Sequence, residues 1–313
     1  MRAALRTFVT ALLFSGLVLP MGPAQADMPD AASWPRPRFI TYNICGAAKQ
    51  CPPVDRKAFQ AAMVSAIDHW DADLVFLQEV CYGQWTLLRD HLSTRTDGPR
   101  YDSVWGATRT SSGCLDWGSD QRFGLATFAK GTFEEGTRTV VPLPEDESDG
   151  AIENRILLCG RVPVTGRPVR ACNTHIAPET GQGGPQVDKV AEVTRSYAAE
   201  GDPVVLGGDF NLAPTDSILD ALYDHNDGKG MFQEVDENDT AFFGPTCDQS
   251  ADRCRSGEPT AVPTCATDLE TPVKIDYIFL SSYWFTNVRG DAAACADTVS
   301  DHRLLRGAAA WEH

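Results

Sequence analysis

Positive charge is scarce in this chain: 27 lysines and arginines stand against 43 aspartates and glutamates, a formal net charge of −16. So acidic a surface favours solubility and opposes the holding of polyanions by lysine and arginine alone. An anionic ligand would need a bound cation to supply local positive charge. Long apolar runs are missing beyond residues 8–19, so no transmembrane segment is expected after that point. Also absent are His-Glu-x-x-His, Gly-x-Ser-x-Gly, the Gly-x₄-Gly-Lys-Ser/Thr phosphate loop and any Cys-x-x-Cys pair, which excludes the zinc and serine-nucleophile chemistries those motifs carry. No short-period repeat or low-complexity tract occurs.

What is present begins with a targeting segment. Arg2 and Arg6 precede the apolar run, and Ala24-Gln25-Ala26 is a small-x-small cleavage site. Residues 1–26 are therefore expected to be a secretory signal peptide, residues 27–37 an N-terminal tail rich in Pro, Asp and Ala, and residues 38–313 one domain. The expected product is exported, extracellular and monomeric. Its ten cysteines all follow the cleavage site, and an even number in an exported chain reads as disulfides. Cys45–Cys51 and Cys247–Cys254 would close short loops, and Cys159 and Cys172 flank a hairpin turn at Thr165-Gly166-Arg167. That leaves Cys81–Cys114 and Cys265–Cys295.

Along the chain, Phe59, Ala62, Met63, Ala66, Ile67 and Trp70 make a helical stripe over 55–70. A second helix is expected through Trp85, Leu88 and Leu92, a third over 186–199 and a short one near 217–222. Strands are expected at 38–44, 74–77, 101–108, 122–129, 137–143, 155–164, 169–175, 204–206, 273–280 and 304–311, separated by Gly, Pro and Ser clusters. Residues 224–272 read as a stapled irregular loop. Tyr283-Trp284-Phe285 reads as a core strand, the alternative being an exposed wedge for a membrane. Strands interrupted by helices without a linker fit one layered α/β domain.

Polar residues recur where those strands stop. Asn43, Glu79, His175, Asp209 and Asn211 follow apolar runs, Asp276 interrupts one, and Asp301-His302 precedes the last. A single carboxylate after a strand is usually a turn former or helix cap. Eight such residues at six strand ends are another matter, since rigid strands hold side chains at one edge while loops leave access.

In that order the motifs resemble the endonuclease/exonuclease/phosphatase superfamily, with the fold of pancreatic-type deoxyribonuclease. Thr41-Tyr42-Asn43-Ile44 is similar to its opening strand, and Asp73-Leu74-Val75-Phe76-Leu77-Gln78-Glu79-Val80 to its metal-ligand strand. Gly124-Leu125-Ala126-Thr127-Phe128-Ala129-Lys130 resembles its central strand. Asn173-Thr174-His175, Gly207-Gly208-Asp209-Phe210-Asn211, Ile275-Asp276-Tyr277-Ile278 and Ser300-Asp301-His302 follow. The resemblance implies a four-layer α/β sandwich, two packed mixed β-sheets flanked by helices. It implies that Asn43, Glu79 and Asp301 hold Mg²⁺, with Mn²⁺ or Ca²⁺ as alternatives, through hard oxygen ligands. Asp209 would orient and deprotonate the attacking water, Asn211 would fix water and phosphate, His175 and His302 would contact phosphate oxygens, and Asp276 would hold His302. Arg155 is a candidate substrate contact. Cys81 stands where the deoxyribonuclease branch often has arginine, and Cys45 where some abasic-site endonucleases have aspartate, so close kinship with either branch is not implied.

The expected activity is a secreted metal-dependent phosphodiesterase, foremost an endonuclease with nucleic acid, DNA and also RNA, as substrate. The rivals are a sphingomyelinase-type lipid phosphodiesterase and a catalytically idle binding or toxin subunit on the same fold.

Overall fold

The computed structural model describes residues 31–47, 55–145, 154–178, 180–239, 254–265, 270–295 and 299–312. Its strands are β1 (Arg38–Asn43), β2 (Leu74–Cys81), β3 (Asp102–Thr110), β4 (Arg122–Ala129), β5 (Thr139–Pro142), β6 (Ile156–Val164), β7 (Arg167–His175), β8 (Val204–Asp209), β9 (Phe232–Glu234), β10 (Asp276–Ser281), β11 (Phe285–Ala292) and β12 (Leu305–Trp311). The helices are α1 (Arg56–Trp70), α2 (Tyr82–Thr94) and α3 (Thr180–Ala199).

Helix α1 starts where the Asp55 carboxylate accepts the Ala58 N–H at 2.7 Å and stops at Asp71, whose φ of 52° turns the chain. Between those caps Phe59, Met63, Ile67 and Trp70 are buried, the stripe legible in the sequence. The strands form two six-stranded sheets, in the orders β11-β12-β1-β2-β4-β3 and β5-β6-β7-β8-β10-β9. Each sheet contains one parallel pair, β1–β2 and β7–β8, among antiparallel neighbours, so both are mixed.

Three apolar layers separate four structural ones. Phe39, Leu74 and Phe76 of the first sheet meet Val162, Val169, Val205, Ile278 and Leu280 of the second. Helices α1 and α2 cover the outer face of the first sheet, packing Met63, Ile67 and Leu88 on Ile40, Val75 and Leu77. Val187, Val190 and Ala191 of α3 cover the second through Leu157, Val204 and Leu206. This is the expected four-layer α/β sandwich. The apolar runs Leu74–Leu77 of β2 and Val204–Leu206 of β8 are unbroken because both of their faces are buried. No helix among the described residues is long and apolar enough to cross a membrane.

The disulfides Cys81–Cys114, Cys159–Cys172 and Cys265–Cys295 are formed. Cys45 and Cys254 are also disulfide-bonded, while Cys51 and Cys247, expected as their partners, lie outside the described residues. Cys159 and Cys172 sit opposite one another in the β6–β7 ladder, whose two-residue turn has φ of 48° at Thr165 and 86° at Gly166.

Four sequence expectations need correction. Over 31–37 the expected tail is packed: Trp34 meets Trp70 edge-on at 5.2 Å, and the Arg38 guanidinium donates to the Ala31 and Trp34 carbonyls. Among its described residues the stretch 224–272 holds the short strand β9 and takes part in three isolated bridges, Phe232 to Tyr223, Ala261 to Val273 and Ala261 to His302. Strand β11 escaped detection because Thr286, Asn287, Arg289 and Asp291 give it no apolar alternation, and a register shift between Thr286 and Arg289 breaks its period. Only Phe285 of the Tyr283-Trp284-Phe285 triplet belongs to a core strand; Trp284 packs against the core from its margin and Tyr283 is 67% exposed.

Candidate active site

One row of the second sheet sets the geometry. In the β7–β8 register His175 lies opposite Asp209, and in the β8–β10 register Asp209 lies opposite Asp276. Three strands thus place His175, Asp209 and Asp276 side by side, all buried, at a common edge. In the first sheet Asn43 ends β1 opposite Gln78 of the adjacent β2, one residue before Glu79.

Glu79 does not end its strand, as the sequence suggested. It sits at a bulge, where the β2–β4 register shifts between Leu77 and Val80, with φ of 56°. The extra residue re-aims the side chain at the edge without ending the ladder. Asn211 is likewise held at φ 53°, and its N–H donates to Asp209 Oδ1 at 3.0 Å. Both left-handed conformations cost about 1–3 kcal/mol, so the surrounding fold must over-determine them.

The side chains form one network. Asn43 Nδ2 lies 3.1 Å from Glu79 Oε1 and 3.0 Å from Asp209 Oδ2, while its oxygen accepts the Cys45 N–H at 3.0 Å. Asp209 Oδ2 also lies 3.5 Å from His175 Nε2 and 3.7 Å from His302 Nε2. The other His302 nitrogen, Nδ1, is 2.8 Å from Asp276 Oδ2. Asn211 Nδ2 donates to the Ile176 carbonyl at 2.9 Å and stands 3.2 Å from His175 Nε2. The Ser300 hydroxyl lies 2.7 Å from the Asn43 carbonyl oxygen and 3.1 Å from Asp301 Oδ1, tying Asp301 to the first strand. The charge of Arg155 reaches His175. Eight of the nine candidate residues therefore meet at one edge, while Arg155 directly precedes β6, the neighbour of the strand that ends in His175.

Burial decides their protonation. It pushes the Asp209 carboxyl up to about 7, helped by the neighbouring Asp276 carboxylate and opposed by His302 and the Asn43 amide. Burial pulls the His302 imidazole down, but Asp276, Asp209 and Asp301 together outweigh it and raise the group to about 10. His175 is held well below the usual histidine range by burial and by Arg155, His302 and Arg109. One histidine is thus cationic and the other neutral at pH 7.

A divalent cation suits this donor set. Ligand atoms of Asp209, Asp276 and His302 lie within 4.8 Å of one another, and Asp276 Oδ1 is buried with no hydrogen-bond partner among the described residues. An acid driven toward neutrality by burial, with another carboxylate beside it, marks a place short of positive charge. Glu79 and Asp301, both half-buried, add carboxylates from the first sheet's side.

Sequence reasoning missed several supports. Gln78 Nε2 donates to Asn173 Oδ1 at 2.8 Å, and Asn173 Nδ2 donates to the Leu77 and Ala126 carbonyls, a fully buried polar tie between the sheets just behind the edge. Thr260 Oγ1 accepts the N–H groups of Ile275 and Asp276 at 3.1 and 3.0 Å, and its carbonyl accepts the Arg303 N–H. Both ends of the His302–Asp276 pair are therefore fastened to one residue of the segment read as a loop. Arg109, in β3, was missed because a strand arginine carries no signal of its own.

The model of the endonuclease/exonuclease/phosphatase family matches residues 40–302. No curated protein matches the chain by sequence. Among solved structures, truncated TDP2 of Caenorhabditis elegans superposes with a TM-score of 0.59 at 16% identity, covering 86% of this chain and 96% of that one. The human nocturnin catalytic domain with bound sulfate gives 0.57 at 18%, covering 88% and 94%. A mannosyl-6-phosphatase from Bacteroides thetaiotaomicron gives 0.60 at 16%, covering 87% and 98%. These likenesses establish the fold.

Proposed function

The chain belongs to the endonuclease/exonuclease/phosphatase family, and from that premise we propose that it is a secreted, divalent-metal-dependent phosphodiesterase. We infer further that it is an endonuclease hydrolysing DNA, with RNA as a second substrate. The observation that carries this reading is the position of Asp209, whose Oδ2 is approached by Asn43, His175 and His302 from three other strand ends.

Asn43, Glu79 and Asp301 would hold Mg²⁺, Mn²⁺ or Ca²⁺, with Asp209 and Asp276 as further oxygen donors. When bound, the cation neutralises phosphate oxygens and the charge growing on the leaving oxygen. The rest falls to the chain. Asp209 orients the attacking water and takes its proton. Asn211, fixed by the Ile176 carbonyl, holds water and phosphate in line. Protonated His302, locked by Asp276, donates to a non-bridging oxygen. His175 contacts another as the neutral ring, and Arg155 contacts the substrate.

The lipid alternative would use Tyr283-Trp284-Phe285 as a membrane wedge. Only Tyr283 of the three is exposed, too little apolar area for such a role. An idle binding subunit would have no need of a buried cationic histidine facing a carboxylate, whose desolvation is costly. The deciding experiment is a panel of plasmid DNA, RNA, sphingomyelin and a phosphomonoester, each with Mg²⁺, Mn²⁺ or Ca²⁺ and with EDTA. Nicking of plasmid abolished by EDTA is expected. Cleavage of sphingomyelin alone would establish the lipid reading, and no metal-dependent cleavage of any member would overturn the enzyme.

A further inference from the structure

Both ligands that the first sheet's strands would offer the cation adjoin left-handed backbone. Glu79 itself has φ of 56°, and Cys45, two residues after Asn43, has φ of 49°, each at a cost of about 1–3 kcal/mol. Past the β1–β2 ladder the two chain segments stay joined. The Ile44 N–H donates to the Gln78 carbonyl at 3.1 Å and the Gly46 N–H to the Glu79 carbonyl at 2.8 Å. Between β3 and β4 the chain makes a single 3₁₀ turn, Ser112–Asp116, that lies against both segments. A Cβ on its Gly113 would run into the Ala47 carbonyl, and Trp117 Nε1, just after the turn, donates to the Gly46 carbonyl at 3.0 Å. The turn's Cys114 is bonded to Cys81, two residues beyond Glu79. Both cysteines are fully buried beside Phe123, with Ala47 and Trp117 packed on them.

A cation site must keep its carboxylates together before the cation arrives. Glu79, Asp209 and Asp301 repel one another, in a protein of net charge −16. Neutral hydrogen bonds contribute about 0.5–1.5 kcal/mol each, so the two that join the segments at most match what the two left-handed residues cost. A covalent link does not exchange with water. We propose that the Cys81–Cys114 disulfide is a positioning element of the metal site. Through the Ser112–Asp116 turn and Trp117 it holds the 44–47 segment and the Glu79 bulge in the one arrangement that keeps Asn43 and Glu79 3.1 Å apart, so that affinity for a divalent cation depends on this link. This rests on the metal-dependent reading and deepens it. Cys159–Cys172 makes the contrast, since it joins neighbouring strands of the second sheet on the face that α3 covers.

Binding of Mn²⁺ tests it without turnover, because the electron paramagnetic resonance of the free aqueous ion is lost on binding. The full-length mature protein and its variants are titrated with Mn²⁺ alone, each well below its melting temperature and folded by circular dichroism. Cys81→Ala/Cys114→Ala, which leaves no unpaired thiol, should weaken binding by roughly 10–100-fold, the usual loss when a support of metal ligands is removed. Cys159→Ala/Cys172→Ala should melt lower yet bind Mn²⁺ as the wild type does. A disulfide that serves stability alone would move the melting temperature and leave the affinity of the folded protein where it was. A wild-type Kd in folded Cys81→Ala/Cys114→Ala therefore overturns the proposal, and so does an equal loss of affinity in both double variants. If the first double variant does not fold, Trp117→Phe decides. It keeps the disulfide and the ring packed on Phe59, removes the donor to Gly46, and should raise Kd roughly 3–10-fold, the worth of one neutral hydrogen bond; an unchanged Kd there overturns the proposal as well. Failure of the wild type to bind Mn²⁺ overturns the metal-dependent reading itself.

Discussion

Asn43 and Asp209 lie 166 positions apart and in different sheets, yet the Asn43 amide donates to the Asp209 carboxylate at 3.0 Å. The same Nδ2 serves Glu79, and the amide oxygen is occupied by the Cys45 N–H, so the group cannot flip without setting its oxygen against two carboxylates. Hydrogen bonds to charged groups contribute about 1.5–3 kcal/mol. Asn43→Ala should therefore raise the metal needed for half-maximal activity and lower kcat/KM on the order of 10²-fold, with the fold kept by circular dichroism. A variant that loses secondary structure instead would make Asn43 a fold-holding residue first.

Glu79→Gln keeps the side chain's shape and removes its charge. The position is a bulge with φ of 56°, and the half-exposed carboxylate packs no core, so the protein should fold. We expect activity to fall by orders of magnitude and the apparent metal requirement to rise, read from a Mg²⁺ titration. Unchanged metal dependence would reduce Glu79 to a structural cap.

Protonation gives the site a pH signature in the metal-free protein. Asp209 ionises near its ordinary value of 3.8 when unfolded and at about 7 when folded, so between those limits the native state binds the extra proton and stability falls as pH rises. His302, raised to about 10, contributes stability that is complete below its ordinary value near 6.5 and is lost as pH climbs through about 10. In EDTA, wild type should thus melt progressively lower from about pH 4 to pH 10 through these two groups. Asp209→Asn should flatten the lower half of that decline, leaving it more stable than wild type at pH 8 by up to about 2–4 kcal/mol. Calorimetry from pH 4 to 10 is the measurement. Parallel profiles for the two proteins would mean that Asp209 ionises normally.

How much of this was legible in the sequence follows from burial. Strands β2, β4 and β8 could be read because both their faces pack, and α1 because four residues at helical spacing meet one sheet. The candidate site residues could be read because the topology gathers strand ends, and polar residues at apolar strand ends are conspicuous. Strand β11 could not, being an edge strand with polar faces, nor could β9, three residues long within a Cys- and Gly-rich stretch. Thr260 was invisible for a different reason. Its partners are backbone N–H groups 15 and 16 residues away, and no side-chain pattern encodes them.

Thr260→Val offers a clean test of that hidden support. Valine has the same shape and no acceptor, leaving two buried N–H groups unpaired at about 1–3 kcal/mol each. We expect a destabilisation of roughly 2–5 kcal/mol and, because Asp276 begins at one of those N–H groups, a downward shift of the basic limb of the kcat/KM profile as the hold on His302 loosens. Thr260→Ser should recover both. Lost stability with an unmoved profile would confine Thr260 to folding.

The histidines provide the last comparison, because the chain carries only six and two are at the edge. Positioned proton-transfer and charge-stabilising groups contribute on the order of 10²–10⁴-fold each, so His175→Ala, Asp209→Asn and His302→Ala should each lose about that much. Pairing His175→Ala with Asp209→Asn should cost less than the two separately, since both act on one transition state. His69 is exposed on α1 and His91 is half-buried in the last turn of α2, so their alanine variants should turn over normally. His225 separates stability from catalysis. It bonds to Asp224 at 2.9 Å and lies 3.3 Å from the buried Glu237, so His225→Ala should melt lower yet keep kcat at a temperature where it is folded. If His225→Ala proved as damaging to kcat as His302→Ala, with both proteins folded, the catalytic edge would have to be sought nearer β9 than β8.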